Sequence, residues 1–164
     1  MRWLLLFPIV IVAIALLLVA AGQAGLLAGS PPAKSSLGVR DGLLVAPSLT
    51  PNSVTSQAVL YPNHPQQDHA RIEPLRYSGN GTAAMARLAA TLRATDRTRI
   101  VVERTDYIHA EIQTRWLRFT DDMEFWLDPS AGVIQVRSAS RLGEGDLGAN
   151  RAHIEAIRSR FASN

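Results

Sequence analysis

Apolar residues along this chain fall into three kinds of pattern. From Trp3 to Ala21 they are continuous, with no charged side chain. At about 1.5 Å per residue such a run makes a helix of roughly 28 Å, close to the ~30 Å hydrocarbon thickness of a bilayer. Pro8 lies in its first two turns, where a helix tolerates proline best. From residue 22 to 70 no period persists. The segments AGSPPAKSS, APSLTPNSVTSQ and YPNHPQQD are rich in Gly, Pro, Ser, Asn and Gln, the composition of linkers and loops. Beyond Ile72 the periods become those of helix and strand.

Met85, Leu88, Ala89 and Leu92 recur at i, i+3, i+4 and i+7, which predicts an amphipathic helix after the turn residues SGNGT, with Thr82 as N-cap. Leu147, Ile154, Ile157 and Phe161 predict a second helix at the C-terminus, with Asp146 placed to cap it. Between them lie strand patterns. RIVVERT is one. In YIHAEIQTRWLRF, Ile108, Ala110, Ile112, Thr114 and Trp116 face one way, and Tyr107, His109, Glu111, Gln113 and Arg115 the other. MEFWL and VIQVRSASR flank Asp128–Gly132, a hairpin signal. IEPL reads as a short edge strand, where Pro74 is tolerated. The order β-α-β-β-β-β-α predicts an α+β fold: an antiparallel β-meander of four to five strands covered on one face by two helices, plus an N-terminal transmembrane helix.

The first span has two readings. A cleavable signal peptide carries an apolar core of about 7–15 residues; the run here is longer, which favours an uncleaved signal anchor. Gly22-Gln23-Ala24 offers a weak exit, so a cleaved signal peptide stays the alternative. Arg2 and the α-amine precede the run and keep that end cytoplasmic. Residues 34–164 then cross the membrane, giving a single-pass protein of the bacterial inner membrane with a periplasmic C-terminal domain. The chain divides into a transmembrane signal anchor at 1–21, a linker at 22–45 and a folded domain at 46–164.

Composition narrows the chemistry. The chain has 164 residues and no cysteine, which excludes a disulfide framework, a thiol nucleophile and a Cys-ligated metal. His64 and His69 share the loop YPNHPQQDH at a spacing that matches no common zinc pattern. No metal and no cofactor is expected. A net charge of +3, evenly mixed with acids, does not signal nucleic-acid binding.

Four blocks carry a resemblance: PNSVTSQ at 51–57, YIHAE at 107–111, DDMEFWLD at 121–128 and RSASRLGEGDLGANRAHIEAIR at 137–158. They are similar to DUF1499, a family of exported bacterial and plastid proteins of unknown function, and the similarity runs from about Pro47 to the C-terminus. The resemblance implies an exported or membrane-attached domain with no established reaction, so 46–164 is expected to be a DUF1499-like α+β domain. Family members commonly carry a cysteine in the block resembling PNSVTSQ and another shortly before it. Ser53 and, approximately, Ala46 stand there in this chain, so the resemblance implies a looser N-terminal loop without that tie.

The polar positions of the last two strands define the candidate site. Arg137 and Arg141 share one strand face, and Asp122, Glu124 and Trp126 share a side of the preceding strand. Hairpin pairing brings the arginines to the acids, on the sheet surface that the helices leave open. One reading is a solvated charge ladder that sets register, each exposed pair contributing only about 0.2–1 kcal/mol. A second is an anion site gripped by Arg137 and Arg141, completed by the Gly143–Gly148 loop and Arg151 at a helix start. A third uses His109 and Glu111 beside Asp122 and Glu124 for hydrolase-type acid–base chemistry. Ser138 and Ser140 are predicted to face the core, no activated serine motif is present, and no catalytic residue is assigned. Trp126 is the best single pointer to a binding surface. The expected role is non-enzymatic binding of an envelope partner protein, a lipid or an anionic small molecule, at a centre made of Arg137, Arg141, Arg151, Asp122, Glu124 and Trp126. A purely structural envelope role is the other non-enzymatic reading.

Overall fold

The computed structural model describes residues 3–163, with side chains described from Phe7 onward. In chain order the elements are helix α1 (Trp3–Gln23), strands β1 (Val39–Arg40), β2 (Leu43–Leu44) and β3 (Ser53–Thr55), the short helix α2 (Gln67–Ala70), β4 (Leu75–Arg76), helix α3 (Gly81–Arg93), β5 (Thr98–Glu103), β6 (Tyr107–Gln113), β7 (Thr120–Asp128), β8 (Val133–Ser140) and helix α4 (Ala149–Ala162). Strands β5 to β8 form the expected antiparallel meander. The sheet is larger than the four to five strands expected: β3 and β4 pair with opposite ends of β8, giving six. The remaining pair, β1 and β2, is a separate hairpin.

Alternation along β6–β8 separates two faces. Ile108, Ala110, Ile112, Met123, Phe125, Ile134 and Val136 lie beneath α3 and α4, packed against Met85, Leu88, Leu92, Ile154, Ile157 and Phe161. Two helices thus cover one face, as the periods indicated. Burial of this set is the main source of stability, at about 25 cal/mol per Å² of apolar surface. The opposite face carries Tyr107, His109, Glu111, Asp122, Glu124, Arg137 and, just past β8, Arg141.

Local expectations are corrected at several points. Asn80, not Thr82, caps α3: its Oδ1 accepts from Ala83 N at 2.9 Å, because the helix begins two residues earlier, at Gly81. Strand β6 stops at Gln113, where Thr114 Oγ1 accepts from Phe119 N and reverses the chain. Trp116 therefore points to solvent rather than into the core. Leu147 does not join the α4 heptad; it precedes the helix with φ 52° and is fully exposed. Asp146 does serve the helix start, its Oδ2 accepting from Asn150 N.

The backbone of α1 runs for 21 residues, but its described side chains begin at Phe7. Among the described residues no helix is long and apolar enough to cross a membrane. Arg2, on which the orientation argument rests, lies outside the described residues. From Phe7 to Leu18 the large apolar side chains of α1 are exposed. At its other end the helix touches the domain: Gly22 packs so closely on the Leu117 backbone that a Cβ there would collide with its carbonyl.

One strand edge is irregular. Pairing of β5 with β6 slips between Ile100 and Val102, and Val101 and Val102 stand exposed there.

Candidate functional site

The register of β6, β7 and β8 places His109 opposite Glu124, Glu111 opposite Asp122, and Glu124 opposite Arg137. Side chains at such positions lie on one face within contact distance. Arg141 follows the last residue of β8 and folds back over Asp122: its Nε donates to Asp122 Oδ2 at 2.8 Å and its Nη2 to Asp122 Oδ1 at 2.8 Å. The same Nη2 donates to Glu111 Oε1 at 2.6 Å. Arg99 Nη2 donates to the other Glu111 oxygen at 2.7 Å, and His109 Nε2 donates to Asp122 Oδ1 at 2.8 Å. Arg99, Glu111, Arg141, Asp122 and His109 thus form one continuous chain of charge-assisted bonds.

A second cluster surrounds Glu124. Tyr107 Oη donates to its Oε1 at 2.8 Å and Arg137 Nη1 to its Oε2 at 3.0 Å. Glu124 Oε1 also accepts from the backbone N–H of Gly38 at 2.6 Å. That bond reveals what covers this face. The segment before β3 lies across it, and Gln57 holds it there: Gln57 Oε1 accepts from Leu44 N and its Nε2 donates to Gly42 O. Ser53 Oγ accepts from Ser48 N at 2.8 Å. A hydrogen bond therefore ties the loop at Ser53, where the family resemblance implies a cysteine.

Cover changes the character of the site. One reading of the sequence is a solvated ladder, but Glu124 is 0% exposed, Asp122 3% and Arg137 7%. Trp126, expected to stand on the open surface, is half-buried, and the Gly42 turn approaches its ring. Charges removed from water this far need partners, and the bonds above supply them. Burial alone pushes the carboxyls of Asp122 and Glu111 up, but hydrogen bonds from Arg141 with those from His109 and Arg99 outweigh it, so both lie below their ordinary values. The Arg141 guanidinium is held above its ordinary value, first by its bonds to Asp122. Tyr107 is pushed up by burial and by the adjacent Glu124.

Five of the six expected site residues, Arg137, Arg141, Asp122, Glu124 and Trp126, therefore share this face. Arg151 does not join them. It sits on α4, on the helix-covered side, where its Nη2 donates to the carbonyl of His69 at 2.8 Å. The Gly143–Gly148 loop is likewise occupied with the start of α4 and with Asn52, whose Nδ2 donates to Gly143 O. Ser138 faces the core as expected and donates to Asn150 Oδ1. Tyr107, Arg99, Gly38 and Gln57 belong to the site and were not singled out. Tyr107 and Arg99 lie on the polar side of alternating strands and were legible in principle. The amide of Gln57 and the N–H of Gly38 come from loops with no period.

One atom of the site lacks a partner. Arg137 Nε is buried and makes no hydrogen bond. Arg137 lines a cavity of about 210 Å³ together with Arg141, Asp122, Ala139, Ser36 and Ser48. Elsewhere, Asp121 Oδ2 lies 3.2 Å from His153 Nδ1, within ion-pair reach, although neither atom makes a well-directed hydrogen bond. Among the described residues no group of three or more His, Asp or Glu could hold a metal ion.

A family model described as protein of unknown function (DUF1499) matches residues 44–161. No curated protein and no solved structure matches the chain.

Proposed function

The chain belongs to the DUF1499 family, whose activity is unassigned, and we propose that it is a membrane-anchored binding domain that holds a small anionic ligand at Arg137. The observation that carries this reading is that Arg137, whose buried Nε has no partner, and Arg141 line one cavity. An orphaned guanidinium N–H costs free energy until an acceptor arrives, and its planar fork suits a carboxylate or phosphate oxygen. The cavity is roofed by the segment that Gly38 and Gln57 fix to the sheet, so a ligand would enter beneath that segment. Charge sets an upper bound on the ligand. Arg99, Arg137 and Arg141 are balanced by Glu111, Asp122 and Glu124, which favours a monoanion over a multiply charged one.

The acid–base reading has less support. His109 does meet a carboxylate, but it is buried and absent from the walls of this cavity. For location we propose insertion of α1 in the bacterial inner membrane with the domain on the periplasmic side. The exposed apolar side chains of α1 and Arg2 ahead of them motivate that orientation.

Thermal unfolding of the full chain in detergent, with and without acetate, phosphate and citrate, tests the binding reading. A rise in melting temperature is expected with acetate or phosphate, since a ligand that binds only the folded state stabilises it. Ala139→Met fills the cavity while leaving every ion-pair residue in the sequence, and should abolish that rise. No anion-dependent shift in the unsubstituted chain would leave the network with a structural role alone.

A further inference from the structure

The end of α1 is not free. Gln23 Nε2 donates to the carbonyl of Trp116 at 2.9 Å, and Arg118 Nε donates to Gln23 Oε1 at 3.2 Å. The turn joining β6 to β7 is therefore fastened to the last residues of the apolar helix. That turn presents Trp116, 62% exposed, with the Arg115 guanidinium 5.1 Å from its ring centroid. Beside it lies the loop after β8: Arg141 N donates to Thr120 O, and Phe119 and Thr114 share the walls of a cavity with Leu142 and Leu147. Leu142 packs near Gly29, in the segment leaving α1. Leu26, Trp116, Leu142 and Leu147 all stand exposed, gathered on the side of the domain where the helix departs.

We propose that this surface is a membrane-contact face: Trp116, Leu142 and Leu147 enter the interface of the same bilayer that holds α1, and Arg115 and Arg118 meet anionic lipid headgroups. The inference rests on the proposed insertion of α1. Given that insertion, Gly22 and Gln23 mark the level at which the chain leaves the hydrocarbon, and whatever is bonded to them lies at headgroup depth. Residues of that depth are commonly Trp with flanking Arg or Lys, because an indole is apolar in body and polar at its N–H. The cationic side chains suit the negative charge of anionic lipid headgroups. An apolar loop tip such as Leu147, with no protein neighbour to cover it, gains by entering the acyl boundary. The domain is then held against the bilayer, not suspended from it by a slack tether.

The test uses the full chain, reconstituted in vesicles of phosphatidylcholine and phosphatidylglycerol. Trp3→Phe with Trp126→Phe leaves Trp116 as the sole tryptophan, and circular dichroism checks that the fold is kept. With lipids brominated near the glycerol end of the acyl chain, Trp116 emission is expected to be blue-shifted and largely quenched. Arg115→Glu with Arg118→Glu should weaken that quenching. Retention on vesicles after an alkaline carbonate wash reports insertion of α1 independently. A chain that is retained while Trp116 stays unquenched with water-like emission overturns the contact face alone. A chain released by the wash overturns the insertion on which it rests.

Discussion

Glu124 and Phe125 are neighbours in β7, both 0% exposed, and they face opposite sides of one sheet. Phe125 lies under α3 and α4 in an apolar core. Glu124 lies under the N-terminal segment, with Tyr107, Arg137 and the Gly38 N–H around its two oxygens. The two covers close the sheet by different physics. The helix side is held by area removed from water, which is non-directional and forgiving of shape. The other side is held by directed bonds between charges, where one missing partner strands another. Equal burial thus conceals unequal tolerance, and the tolerant side is the one without the cavity at Arg137.

The sharpest contrast comes from substitutions at these two positions. Glu124→Ala leaves the Arg137 charge uncompensated in a buried site and is expected to lose about 3–5 kcal/mol in urea unfolding. Glu124→Leu combined with Arg137→Met should recover part of that loss, since an apolar pair can replace a buried ion pair, while the Tyr107 hydroxyl and the Gly38 N–H stay without their acceptor. Phe125→Leu, by comparison, should cost less than about 1.5 kcal/mol. Equal losses for Glu124→Ala and Phe125→Leu, or no recovery in the double variant, would erase the distinction between the faces.

Acid should act on the polar face and also at the start of α4, where hydrogen bonds from Gly148 and Asn150 outweigh burial and hold Asp146 below its ordinary value. The folded carboxyls of Asp122 and Glu111 lie below their ordinary values of 3.8 and 4.5. Their contribution is therefore present above those values and lost as pH falls through the folded ones. Stability measured by urea midpoints should decline from about pH 5 downward. Arg141→Met removes a partner of both acids and should flatten that decline while lowering stability at neutral pH. An alkaline counterpart is expected from Tyr107, whose hydroxyl lies above its ordinary 10.0. Its contribution is intact below that value and lost as pH climbs from there toward the raised one, so Tyr107→Phe should lessen the alkaline loss. The smallest effect belongs to neither face. Arg93 and Glu103 pair at the surface, more than a third exposed on both sides, and Arg93→Ala should change stability by about 0.2–1 kcal/mol at most.

The meander, the two covering helices and the pairing of Glu124 with Arg137 and Asp122 with Arg141 were legible because each follows from period and turn chemistry. An alternating strand assigns faces, and the Asp128–Gly132 hairpin assigns partners. Burial of the charged face was not legible. It depends on the segment before β3, whose Gly38 N–H and Gln57 amide act through the backbone and leave no periodic trace. Strand β3 was missed for the same reason: SVT is too short to show alternation, and all three residues are buried. Arg151 was drawn into the site by its distance along the chain, whereas α4 carries it to the other side of the sheet.

The slipped pairing of β5 has a bearing on how copies of this chain coexist. At the far side of the sheet the edge is made of the short strands β3 and β4, so β5, with six residues, is the longest free margin of this sheet among the described residues. The irregularity between Ile100 and Val102 breaks the straight template that an incoming extended segment would need. Lateral crowding can therefore bring these molecules together without zipping their sheets into fibres.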